Sequence, residues 1–160
     1  MKTEVIDIDL PKDANVIVGQ AHFIKTVEDL YEVFVTSVPA AKFGVAFSEA
    51  SGPCLVRSEG NDAALKEAAE KAALSIGAGH VFVAFMKDAF PVNVLGAIKS
   101  CDEVCSIFCA TANPLQVVVA ETENGRGIMG VIDGSPPRTV EAEADVKSRR
   151  SFLRRIGYKL

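Results

Sequence analysis

The sequence predicts an α+β fold: a single domain over residues 1–160 in which a mixed β-sheet is packed with α-helices. Three observations carry this. Segments of period-2 hydrophobicity are interleaved with segments of helical spacing. Several strands follow one another with no helix between them, which requires antiparallel pairs. One strand, Val81-Phe82-Val83-Ala84-Phe85-Met86, is apolar on both alternating sets and belongs in the middle of a sheet covered on both faces.

The elements follow in order. Ile6, Ile8 and Leu10 alternate with Asp7 and Asp9 as a strand with one wet face, ended by Pro11-Lys12-Asp13. Asn15 to Gly19 reads as a second short strand. Val27, Leu30, Tyr31, Phe34 and Val38 then recur at helical spacing, and Pro39 closes that helix. Phe43, Val45 and Phe47 mark the next strand, with its turn at Ser51-Gly52-Pro53. Leu65, Ala69, Ala72, Ala73 and Ile76 line one side of a second helix, and Lys66/Glu70 and Glu67/Lys71 pair at i,i+4 elsewhere on it. Gly77 and Gly79 stop it. Pro91 fits the first turn of a helix running to about Lys99, where its missing N–H costs nothing. Val104 to Ala110 returns as a strand. Val117 to Ala120 and Ile128 to Ile132 flank Asn124-Gly125, which suits a type I′ hairpin turn. Val146, Leu153 and Ile156 give the basic C-terminal segment one apolar face, as in a last helix.

Composition bounds the function. With 160 residues, 49% hydrophobic and 24% charged, one chain can build one real core. No apolar run approaches the roughly 18 to 20 residues that span a bilayer, so no membrane is expected as a partner. Charges at Lys2, Glu4 and Asp7 are out of place in a signal peptide, and the expectation is a cytoplasmic protein. Residues 146–160 hold six basic side chains and no acidic one, while the rest of the chain carries 11 basic against 21 acidic, or −10. A basic strip attracts phosphates, but the acidic body argues against nucleic acid as the partner. Cys54, Cys101, Cys105 and Cys109 form no CxxC pair, which argues against zinc; Cys105 and Cys109, in an apolar run, are expected to pack as small hydrophobes.

The chemistry concentrates at Gly19-Gln20-Ala21-His22-Phe23-Ile24-Lys25-Thr26, between a strand and a helix. This run almost spells a phosphate loop, but Ile24 replaces the second glycine, and a β-branched residue resists the positive φ that such a loop needs. What remains is Thr26 as an expected N-cap, an acidic first turn at Glu28 and Asp29, and free N–H groups that could bind an anion with Lys25. His22 sits in the loop before it. A neutral imidazole attacks phosphorus near neutral pH without a separate base, which makes His22 the expected catalytic residue and Lys25 its expected charge partner. His80, pressed between Gly79 and the buried strand, is expected to be structural. Polar groups at predicted strand ends complete the candidate set: Gln20, Thr26, Glu49, Arg57, Asn61, Asp62, Asn113, Arg126 and Asp133 as substrate-binding positions. Asn61, Asp62, Glu49 and Asp133 suit ribose or metal contacts, although no cluster spells a metal site.

Read together, several runs resemble one family, the small adenosine-specific kinases. They are Gly19 to Leu30; Phe43-Gly44-Val45-Ala46-Phe47 through Glu49-Ala50-Ser51-Gly52-Pro53; Gly77-Ala78-Gly79-His80; Lys87-Asp88-Ala89-Phe90-Pro91; Cys109 to Pro114; and Glu121-Thr122-Glu123 through Gly125-Arg126-Gly127 to Gly134. The resemblance implies an α/β domain that binds adenosine or an adenine nucleotide (ATP, ADP or AMP), carries a phosphorylatable histidine at the position of His22, and assembles as a homo-oligomer, a trimer. Mg2+ is expected only as the usual companion of nucleotide phosphates. The resulting expectation is a phosphotransferase working through a phosphohistidine; the alternative is an adenine-nucleotide sensor or binding module without turnover.

Overall fold

Alternating and fully apolar segments of the chain become strands, and the stripes at helical spacing become helices. The computed structural model describes all 160 residues as β1 (Lys2–Ile8), β2 (Asn15–Ala21), α1 (Thr26–Ser37), β3 (Lys42–Ser48), β4 (Val56–Gly60), α2 (Ala63–Ile76), β5 (Val81–Lys87), α3 (Pro91–Lys99), β6 (Val104–Thr111), β7 (Leu115–Thr122), β8 (Gly125–Asp133) and α4 (Glu143–Arg155). The α+β class is as expected. Its sheet differs in detail: the strands form two sheets, in the orders β4-β3-β5-β2-β6 and β1-β7-β8, and every pairing is antiparallel. β5, apolar on both faces, is the central strand.

The larger sheet is covered on both sides. One face packs Ile17, Phe43, Val45, Phe47, Phe82 and Ala84 against Val27, Leu30 and Phe34 of α1 and Val94 and Ile98 of α3. Phe34 stacks on Phe43 with ring centroids 4.6 Å apart. The other face packs Val16, Val18, Ala46, Val83 and Phe85 against the small apolar side chains of α2 and the inner face of the three-stranded sheet. Small residues let α2 lie close, and the space a Cβ on Gly44 would fill is 2.2 Å from the backbone nitrogen of Lys66.

Local chemistry sets the helix ends. Asp62 accepts a hydrogen bond from the Leu65 N–H at 3.0 Å, and Gly77 closes α2 in the left-handed region at φ +63. Pro91 opens α3 as expected. The β7–β8 turn departs from expectation. Thr122 pairs with Gly125, so the loop is Glu123-Asn124, and neither residue has positive φ; Gly125 takes it at +144. This is not a type I′ turn. α4 buries none of its residues, and its charges pair locally, Arg149 with Glu141 at 2.7 Å and Lys147 with Glu143 at 3.0 Å.

Of the two cysteines expected in the core, Cys109 is buried but Cys105 is exposed; four residues apart they would share a face of a regular strand, but β6 shifts register against β2 between Cys109 and Ile107, which breaks the alternation between them. Burial pushes the Cys109 thiol up to about 11. Thiolate is the reactive form. Iodoacetamide at about pH 8 is therefore expected to modify Cys54 and Cys105 first and to spare Cys109 in the folded protein, with peptide mapping as the measurement. Early modification of Cys109 would contradict the burial described.

Candidate functional site

Strand direction decides which candidate residues can meet. β2 and β3 both run antiparallel to β5, so they end at the same edge of the larger sheet. That edge gathers Gln20, His22, Lys25, Glu49 and Arg57, the last as the cross-strand partner of Phe47. β4 and β6 run the other way and end at the opposite edge. Val16 pairs with Thr111 while Ala21 pairs with Val104, so the segment after β6 lies roughly 17 Å from the segment after β2, at about 3.3 Å per residue.

The far-edge candidates are engaged in architecture. Asn61 accepts from the Phe43 N–H and donates to the Ala41 carbonyl, both at 2.8 Å, and Asp62 caps α2. Thr111 and Asn113 both donate to Asp133 Oδ1, at 2.7 and 3.0 Å, locking the β6–β7 connection to the end of β8. Asn61, Asp62, Asn113 and Asp133 therefore do not join the group around His22. Arg126 is at the near end of β8 but is bound to Glu4 at 2.7 Å and faces Glu121 at 3.4 Å.

The start of α1 also differs from expectation. Lys25, not Thr26, is the N-cap, and it makes no side-chain cap bond. Thr26 is fully buried, and its hydroxyl donates to the Phe23 carbonyl. The N–H groups of Thr26, Val27 and Glu28 bond to the carbonyls three residues back, at 3.0, 3.3 and 3.1 Å, so the first turn offers no open cradle of donors to an anion. The Thr26 side chain is engaged by the turn itself. The Lys25 ammonium is held by Asp29 and stands 3.3 Å from Glu103, whose side chain is 3% exposed. The hydrogen bond from Lys25 is the main cause holding the Asp29 carboxyl below its ordinary value. Lys25 thus faces two carboxylates and is not a free cation beside His22.

His22 itself is exposed. Its backbone N–H donates to the Glu103 carbonyl at 2.7 Å, which ties the loop after β2 to the start of β6. Its ring meets that of His80 edge to face, with centroids 6.2 Å apart. His80, expected to be structural, is half-buried and stacks on Phe47 at 5.9 Å. Its backbone bridges two strand ends: its N–H donates to the Ser48 carbonyl at 2.7 Å, and its carbonyl accepts from the Ala21 N–H at 2.9 Å. It also holds φ at +61, uncommon away from glycine. The sequence signal for this was Gly77-Ala78-Gly79, a short crossing that returns the chain from α2 to the same sheet edge.

Glu49 accepts from the Leu55 N–H at 2.8 Å and from Arg57 at 3.0 Å. The Leu55 N–H is the larger cause, ahead of Arg57, keeping its carboxyl below the ordinary value. The pair closes the loop from Ala50 to Leu55. Beside it, a cleft of about 450 Å3 is walled by Ser48, Glu49, Leu55, Ala73, Gly77 and Arg126, among others, and reaches Gly79, the residue before His80. No group of three or more His, Cys, Asp or Glu side chains converges to hold a metal ion, and no helix is long and apolar enough to cross a membrane.

Comparison with known proteins covers nearly the whole chain. Residues 6–159 match a family described as adenosine specific kinase. Among solved structures, the crystal structure of PH1918 protein from Pyrococcus horikoshii OT3 superposes with a TM-score of 0.95 at 48% identity, covering 99% of this chain and 98% of that one. No curated protein matches the chain.

Proposed function

The chain belongs to the adenosine-specific kinase family, and from that premise we propose that it is a phosphotransferase acting on adenosine or its phosphates, with His22 as a transient phosphoryl carrier. The observation that carries this reading is an exposed imidazole anchored through its backbone at an open sheet edge, 6.2 Å from a second imidazole. In the step proposed, the lone pair of a neutral His22 ring nitrogen forms the N–P bond while the donor's P–O bond breaks and its oxygen leaves with the electron pair. An acceptor hydroxyl then forms a new O–P bond, the N–P bond breaks with its electron pair returning to the His22 nitrogen, and the hydroxyl's proton passes to solvent water. Catalysis of this kind rests mainly on positioning and charge.

The neighbouring cleft supports a seat for the nucleoside, since about 450 Å3 lies within the usual range for small-molecule sites. Protein side chains build no seat for Mg2+ here: Asp29 and Glu103 already face the Lys25 ammonium. Mg2+ arriving with a nucleotide would be held by the nucleotide's own phosphates. We also propose a homo-oligomer, a trimer by family resemblance; the exposed Phe152, Ile156 and Tyr158 of the C-terminal segment are apolar surface that a further copy could cover.

Incubation with ATP and magnesium followed by intact-mass analysis tests the central reading. The expected result is a single phosphoryl gain, stable to alkali and labile to acid, that fragmentation maps to His22. A gain mapped to another residue would overturn it. The pairing of Lys25, Arg57 and Arg126 with carboxylates favours a second reading, an adenine-nucleotide sensor. Calorimetric binding of adenosine or AMP, with no phosphoryl transfer from any nucleoside triphosphate, would select it.

A further inference from the structure

A phosphoryl group on a histidine brings close to two negative charges, and something must offset them. At this edge the permanent cations are engaged. Lys25 faces Asp29 and Glu103, two carboxylates against one ammonium. Arg57 is balanced by Glu49, and Arg126 by Glu4 and Glu121. The charged groups gathered at the edge of the histidine pair are therefore Glu49 just after β3 and Arg57 on β4, the N-cap Lys25 and Asp29 of α1, and Glu103 from the turn before β6. Their sum does not favour an anion. His80 is the remaining group that can carry positive charge, and it has no carboxylate partner.

We propose that His80 is the charge partner of the phosphoryl group on His22, a role that rests on the phosphohistidine reading above. The geometry suits it. The two rings are neighbours, edge to face with centroids 6.2 Å apart, so a charge carried on one ring is felt at the other. Phe47 supports the His80 ring from beneath. Backbone bonds to Ser48 and Ala21 fix its Cα between two strands, so the ring is in place before any ligand arrives and little reorganisation is needed. His80 forms no bond to phosphorus. It holds its proton while the N–P bond on His22 forms and the leaving oxygen departs.

The test uses phosphoramidate, a small phosphoryl source that can modify histidine without a nucleotide. His80→Asn removes the ring charge with a residue that tolerates left-handed backbone, and His80→Lys keeps a cation. Thermal melts accompany each variant to report the fold. At about pH 6, labelling of His22 is expected to slow about tenfold or more in His80→Asn, with most of the loss restored in His80→Lys. The advantage of wild type over His80→Asn should shrink on going to about pH 9, where an ordinary imidazole is uncharged, whereas that of His80→Lys persists. Equal labelling of wild type and His80→Asn at the lower pH, or a His80→Lys variant as slow as His80→Asn, overturns the proposal and leaves the phosphohistidine reading intact. Wild-type protein that takes no label on His22, or takes it on His80, overturns that reading itself.

Discussion

Replacing His22 by Ala is expected to lower the acid-labile phosphoryl adduct at least about a thousandfold, the scale on which loss of a covalent nucleophile is felt. Thermodynamic stability should barely move. The ring is exposed, its aromatic neighbours are Phe23 and His80, and the backbone bond to the Glu103 carbonyl survives the substitution. Surface changes of this kind stay within about 0.5 kcal/mol. Intact-mass analysis and urea titration on the same preparation separate the two effects. An undiminished adduct in His22→Ala would remove His22 from the chemistry, and a large loss of stability would mean that the ring is packed, not displayed.

The second large effect concerns the scaffold. Gly44→Ala is expected to cost about 3 kcal/mol or more, lowering Tm by around 10 °C for a chain of this length. The added methyl would lie 2.2 Å from the Lys66 nitrogen and 2.4 Å from the Leu65 carbonyl carbon. Both are backbone atoms of α2, and neither can rotate away. The same substitution at Gly96 should act in the opposite direction. It lies inside α3 with nothing within 4 Å of the new atom, so removing glycine's backbone freedom should stabilise by about 0.5 to 1 kcal/mol. Calorimetric melts of both variants check the pair. An unchanged Tm for Gly44→Ala would mean that α2 does not rest on β3 as described.

Periodicity made the central strand, α1 and α2 readable, because each buries a full stripe or both faces, while α3 was marked by Pro91 at its first turn. β4 escaped, since Val56-Arg57-Ser58-Glu59-Gly60 is an edge strand of uniformly partial burial and shows no alternation. The division into two sheets escaped as well. Pairing Lys2 with Glu121 and Ile8 with Leu115 joins segments more than a hundred residues apart, and hydropathy holds no record of such registers.

The candidate site was half legible for a related reason. Ends of parallel strands share one edge, so polar residues after each strand would converge. In an antiparallel sheet they alternate. Residues after β2 and β3 consequently gather near His22, while Asn61, Asp62 and Asn113 go to the far side. The N-cap falls at Lys25 and not at the expected Thr26, and local sequence does not show that Glu103, 78 residues beyond Lys25 in the chain, stands at the same turn.

The four-residue crossing from Gly77 to His80 has a wider meaning. It begins and ends in left-handed backbone and splices the tail of α2 to the ends of β2 and β3, the two strands that flank β5. The imidazole pair is thereby geared to the helix terminus: fraying of the last turn of α2 would misalign the rings while most of the interior stayed intact. If the pair carries the proposed transfer, activity and cooperative melting would then part company on heating, with transfer disappearing first.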